Sequence, residues 1–183
     1  MKPYRFPRVA VGIALAGLLL PASASAATDG SFGSTSTGNI NINASVPNRV
    51  RLSGLTDVSL LNLDPSIDAT SAQNVCVFSN TATRGYSITA TGSGSGNAFT
   101  LSSGASSVPY SVEWSSTVSS ASGSALVAGN AATGFTSTAT HQLCSTGPSA
   151  SASLIVKLAS ADLSSMQAGQ TYNGTLTLLV QPE

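Results

Sequence analysis

Charge is scarce in this chain of 183 residues, with seven Lys and Arg, seven Asp and Glu, one histidine and two cysteines. Phosphate binding needs clustered Lys and Arg, and no basic stripe exists, so nucleic acid is excluded as a partner. Nothing in the charge pattern recruits an anionic membrane. With one histidine, any Ser-His-Asp triad must use His141, and serines are so plentiful that no pairing stands out. The run from Gly92 to Gly96 lacks the lysine and following helix of a phosphate loop. Paired carboxylates for glycoside hydrolysis would have to come from Asp57, Asp64, Asp68, Glu113 and Asp162. The first three sit in turn-like contexts that favour capping, and no regular loop of oxygen ligands suggests calcium. The expectation is a protein that is not an enzyme and carries no metal or cofactor.

Long apolar runs are also missing, apart from residues 9–20. That run follows Lys2, Arg5 and Arg8 and ends at Pro21, Ala24, Ser25 and Ala26. A membrane span needs about 20 apolar residues, so the pattern is that of a cleaved secretory signal peptide over residues 1–26. No cysteine follows for a lipid anchor. Removal takes three of the seven basic residues, leaving four against seven acids, a net charge of 4 − 7 = −3. The expected location is the periplasm and then the cell surface, without membrane insertion.

In an oxidising compartment, Cys76 and Cys144 are most economically one disulfide. The alternatives are a free thiol pair or a metal set with His141, which would be incomplete.

What the chain does have is Ser, Thr, Gly, Ala and Asn between short apolar alternations. Residues 27–38 are a Gly-rich leader with Phe32 as its one large apolar group. Residues 39–46 alternate cleanly, with Ile40, Ile42, Ala44 and Val46 on one face and polar residues on the other. Pro47 ends that run, and residues 50–52 and 58–63 are further short strands. Residues 75–78 form a strand around Cys76, and Tyr86, Ile88 and Ala90 alternate in the next. Residues 98–101 and the alternation of Tyr110, Val112 and Trp114 follow. Trp114 is expected to anchor the core or its rim. Residues 125–128 and 135–143 are weaker candidates, and residues 152–158 a strong one. Residues 160–166 suit a helical turn with Ser160 as N-cap.

The last stretch, residues 172–180, alternates Tyr172, Gly174, Leu176, Leu178 and Val180 with polar residues. Leu179 suggests cover on both faces near its end, and Pro182 is expected to end its ladder. Its natural mate is residues 39–46. About ten strand candidates, no long helix and frequent turns predict an all-β protein, an antiparallel sandwich of immunoglobulin-like type spanning residues 39–183.

The order of these segments resembles the spore coat protein U domain family, secreted pilin-like subunits of the archaic chaperone-usher pathway. The resemblance rests on Gly38 to Ala44, the Cys76 strand followed by Tyr86 to Ala90, Val108 to Val112, and Ala168 to Leu178. It implies an incomplete sandwich lacking one strand. A periplasmic chaperone supplies that strand first, and the N-terminal extension of the next subunit supplies it in the fibre, beyond an outer-membrane usher. By resemblance, Ile40, Ile42, Ala44 and Val46 are donor-strand pegs, and Tyr172, Leu176, Leu178 and Val180 line the acceptor groove of a neighbouring subunit in a homopolymer. The implied role is a surface pilus or fimbria serving adhesion or biofilm formation. The competing arrangement pairs the two strands within one closed monomer, a secreted binding module in which Trp114, Tyr110, Tyr86 and Tyr172 could stack on sugar. A small hydrolase is the third class.

Overall fold

A computed structural model describes residues 27–183; the signal-peptide expectation lies outside these residues. The described chain divides at residue 45 into two units. In the first, residues 27–45, the backbones of Thr28 and Asn39 bridge each other through two hydrogen bonds of 2.9 Å. Residues 40–46 form no strand.

The second unit is an antiparallel β-sandwich. Its strands are β1 (Val50–Ser53), β2 (Ala69–Ser79), β3 (Gly85–Gly92), β4 (Thr100–Ser103), β5 (Ser106–Pro109), β6 (Ser111–Ser115), β7 (Ser124–Ala125), β8 (Ala131–Thr136), β9 (Ala152–Leu158) and β10 (Leu176–Pro182). A short helix, α1 (Ser160–Leu163), precedes β10. One sheet has the order β1-β2-β9-β6-β7 and the other β10-β3-β8, while β4 and β5 form a hairpin.

Alternation places the core. Val75 and Val77 of β2, Tyr86, Ile88 and Ala90 of β3, Val112 and Trp114 of β6, and Leu154, Val156 and Leu158 of β9 are buried in one cluster that joins the two sheets. Burying each large apolar side chain stabilises the fold by about 1.5–3 kcal/mol. The even residues of β2 point the other way. Cys76 there meets Cys144 and Ala139 in a second small cluster, so the disulfide lies on the outer face of the larger sheet.

Just before β9 begins, where its ladder with β2 stops, serines take over. The Ser151 hydroxyl accepts from the Val77 amide at 2.9 Å and donates to the Val77 carbonyl at 3.0 Å, and the Ser137 hydroxyl donates to the same carbonyl. These contacts hold the disulfide loop on β2 without a strand. A polar group buried without a partner is costly, so the serines are structural.

The structure departs from the sequence pattern in several places. Residues 58–63 form no strand: β1 pairs with β2 only at residues 76–79, and past Ser53 the chain does not continue that pairing along the rest of the β2 edge. Residues 102–107, which lack alternation, are a tight hairpin turn with its flanks in β4 and β5. Strand β8 lies at 131–136 rather than 135–143, and Cys144 sits in a turn whose amide bonds the His141 carbonyl. The N-cap of α1 is Ala159, and the first amide, that of Ser160, is satisfied by the carboxylate of Asp68 at 2.7 Å. That bond holds the Asp68 carboxyl below its ordinary range. The Asp64 carboxylate accepts from the hydroxyl and amide of Ser66, a side-chain turn that also lowers its pKa.

Candidate functional site

Strand β10 carries Leu176, Leu178 and Val180 half-buried on one face and Thr177, Leu179 and Gln181 exposed on the other. The alternation is as expected, but Leu179 is 55% exposed, so the second face is not covered. Nor does Pro182 end the ladder: it pairs with Tyr86, and the Glu183 amide still donates to the Gly85 carbonyl. The Glu183 amide faces β3, so the Pro182 nitrogen faces the free edge, where a missing donor costs the sheet nothing.

Along its whole length β10 pairs with β3, and it is the edge of its sheet. The mate expected for it, residues 39–46, contributes no strand, and Ile40, Ile42 and Val46 are 72%, 82% and 78% exposed. An edge strand presents unpaired amides and carbonyls and is a template for further pairing.

Beside that edge lies an apolar groove of about 510 Å³. Leu176 and Leu178 of β10 form one wall, and Leu154, Val156 and Leu158 of β9 form the floor. Leu101, Tyr110 and Tyr172 close one end, and residues 55–61 run along the remaining side. Of the four residues that the resemblance assigns to an acceptor groove, Tyr172, Leu176 and Leu178 line this groove. Val180 shares their face and packs on the core beyond the groove.

The closed end is built by close backbone approach. Ser102 and Asn173 exchange amide-to-carbonyl bonds of 2.8 and 3.0 Å, and the Thr175 amide donates to the Ser93 hydroxyl. A Cβ on Gly174 would stand 2.7 Å from the Thr100 carbonyl oxygen, so only glycine fits there. Tyr172 precedes β10 rather than belonging to it, and its hydroxyl accepts the Gln167 amide at 3.1 Å.

The groove carries little charge; Asp57, exposed, is the only ionisable carboxylate among its lining residues. Burial raises the pKa of Tyr110, so its phenol stays neutral through the physiological range. The chemistry on offer is apolar contact on both sides of the groove and a row of backbone partners on β10.

The aromatic residues weighed as a sugar platform are distributed differently. Tyr86 and Trp114 are fully buried, Tyr110 is nearly so, and only Tyr172 is partly exposed. Cys76 and Cys144 form the disulfide, with Cα atoms 6.4 Å apart. His141 serves its own turn, accepting the Leu143 amide at Nδ1.

Sequence reasoning missed two parts of this site. The face of Leu154, Val156 and Leu158 was legible as alternation, yet nothing in it said that a groove lay above. The second is a clamp across 17 residues: the Gln73 side-chain oxygen accepts from the Thr56 amide and hydroxyl at 2.8 and 3.0 Å, and its NH2 donates to the Thr56 carbonyl at 3.0 Å. A single glutamine at an alternating strand position gives no signal of it. Neither a family model nor a curated protein matched the chain in the comparisons made.

Proposed function

We propose that this protein is a structural subunit of a surface fibre, assembled when residues 39–46 of one copy add as a strand to the groove of another. One observation carries the reading. An apolar groove lies open beside an unpaired strand edge on β10, and the same chain carries an alternating apolar segment whose Ile40, Ile42 and Val46 are exposed.

Strand addition binds through backbone hydrogen bonds, and alternate side chains give it specificity. Ile40, Ile42, Ala44 and Val46 recur every second residue, matching the alternation of Leu176 and Leu178 on the receiving strand. The resemblance to the spore coat protein U domain family supports the same assembly. It adds an export route through a periplasmic chaperone and an outer-membrane usher, and a role in adhesion or biofilm formation. On this reading the sandwich lacks one strand, as in the pilin-like immunoglobulin fold.

The test is the association state of the mature protein. The account expects SDS-resistant multimers or a chaperone complex from the full chain, and loss of the multimers alone in Ile40→Asp/Ile42→Asp. A stable wild-type monomer that the double substitution unfolds would instead place residues 39–46 in their own sandwich, as in a secreted binding module.

A further inference from the structure

The connection from β1 to β2 is held by few bonds. Its residues 55–61 all border the groove, yet among the described residues no backbone group from Asp57 to Leu63 makes a hydrogen bond. Two attachments hold it. One is the clamp of three bonds between Gln73 and Thr56. The other is the half-buried pair Leu60 and Leu63, packed against the core. Leu55, Val58 and Leu61 remain exposed.

The floor of the groove shows what this segment does. Leu154 and Leu158 line the groove yet are only 3% and 2% exposed. Leu60 and Leu63 belong to the partly buried set packed on that cluster. Gln73 stands opposite Leu154 in the β2–β9 register, so the clamp is fixed beside the floor. A segment with unpaired backbone and few apolar contacts opens at low free-energy cost. A strand offering alternating isoleucines and a full set of backbone bonds to β10 makes better contacts in its place.

We propose, resting on the strand-accepting reading of the groove, that residues 55–63 are a displaceable strap and that Gln73 is the positioning residue that latches it. The strap keeps the floor dry while the groove is empty, and an incoming strand lifts it off. The latch then governs the rate of strand uptake and has little influence on the release of a strand already seated.

The experiment follows uptake of a labelled synthetic peptide of residues 39–47 by monomeric mature protein, using fluorescence anisotropy. Gln73→Ala is expected to take up the peptide at least about tenfold faster than wild type with an unchanged dissociation rate, the lower bound set by losing three solvent-exposed hydrogen bonds at the weak end of their usual range. Gln73→Glu keeps both bonds accepted from Thr56 and should lie between the two. A second readout leaves Gln73 untouched: in Leu60→Cys, maleimide labelling should rise several-fold when peptide binds. Equal uptake rates in all three proteins, or labelling that falls on binding, would overturn the strap and leave the groove as a strand acceptor. Failure of every variant and of wild type to take up peptide would overturn the strand-accepting reading, and the strap with it.

Discussion

The indole nitrogen of Trp114 donates a hydrogen bond of 3.0 Å to the phenol oxygen of Tyr86, and the rings meet edge to face at 83°. The bond crosses the sandwich, from β6 in one sheet to β3 in the other. Both side chains are completely buried, and Tyr86 also stacks on Phe135 at 5.8 Å. It joins the two largest fully buried side chains of the core. Burial raises the pKa of the Tyr86 phenol, which the Trp114 bond partly offsets, so the hydroxyl stays protonated as an acceptor for the indole.

Tyr86→Phe should therefore leave a buried N–H without a partner while changing little volume. The expected loss is about 1–3 kcal/mol, read as a lower urea midpoint with an unchanged slope. A neutral result would mean that water replaces the phenol.

Replacing Cys76 and Cys144 together by Ala should cost about 4 kcal/mol, from the loop of 68 residues that the bond closes. Thermal melts of the oxidised protein and the double variant give the difference. A loss below about 1 kcal/mol would show that Ser137 and Ser151 alone secure the loop on β2.

Ser151→Ala removes the hydroxyl that serves both the amide and the carbonyl of Val77. The expected cost is again about 1–3 kcal/mol. Amide exchange at Val77 should rise more than at its neighbours, which a general loosening of β2 would not produce.

Glu113 gives the fold its acid sensitivity on the larger sheet. The Lys157 ammonium at 2.7 Å, and then the Gly123 amide, hold its carboxyl below the ordinary glutamate range. A pKa lowered by folding adds stability above the unfolded value of about 4.3 and loses it as pH falls through the folded value. At pH 6, Glu113→Gln should be less stable than wild type by about 0.5–1 kcal/mol, the usual worth of a partly exposed pair. The two proteins should converge once pH has fallen below the lowered pKa of Glu113, and a gap that persists at the acid limit would assign the loss to packing.

Strand periodicity made much of this legible in advance. The faces of β9 and β10 and the buried positions of β3 and β6 all follow from alternation of apolar residues, and the disulfide from cysteine count and expected compartment. Alternation alone could not tell a paired strand from an unpaired one. Residues 40–46 alternate as well as β10 does, yet only β10 is hydrogen-bonded as a strand. Residues 58–63 are apolar enough for a strand, yet the chain leaves the β2 edge after Ser53 and forms no ladder with it. The tip of the hairpin, residues 102–107, carries no such signal: it holds only Ser, Gly and Ala, and the apolar pair Leu101 and Val108 lies just outside it. The groove is a property of what does not fill a space, and no single segment encodes it.

The most direct measurement of the central claim is hydrogen–deuterium exchange on monomeric and multimeric mature protein. The peptides to compare cover residues 39–46 and 176–182. Strand donation predicts that both segments gain protection together in the multimer, while β3, already paired on both sides, changes little. Multimers in which both segments exchange as fast as in the monomer, or a chain that forms no multimer and takes up no strand, would contradict it.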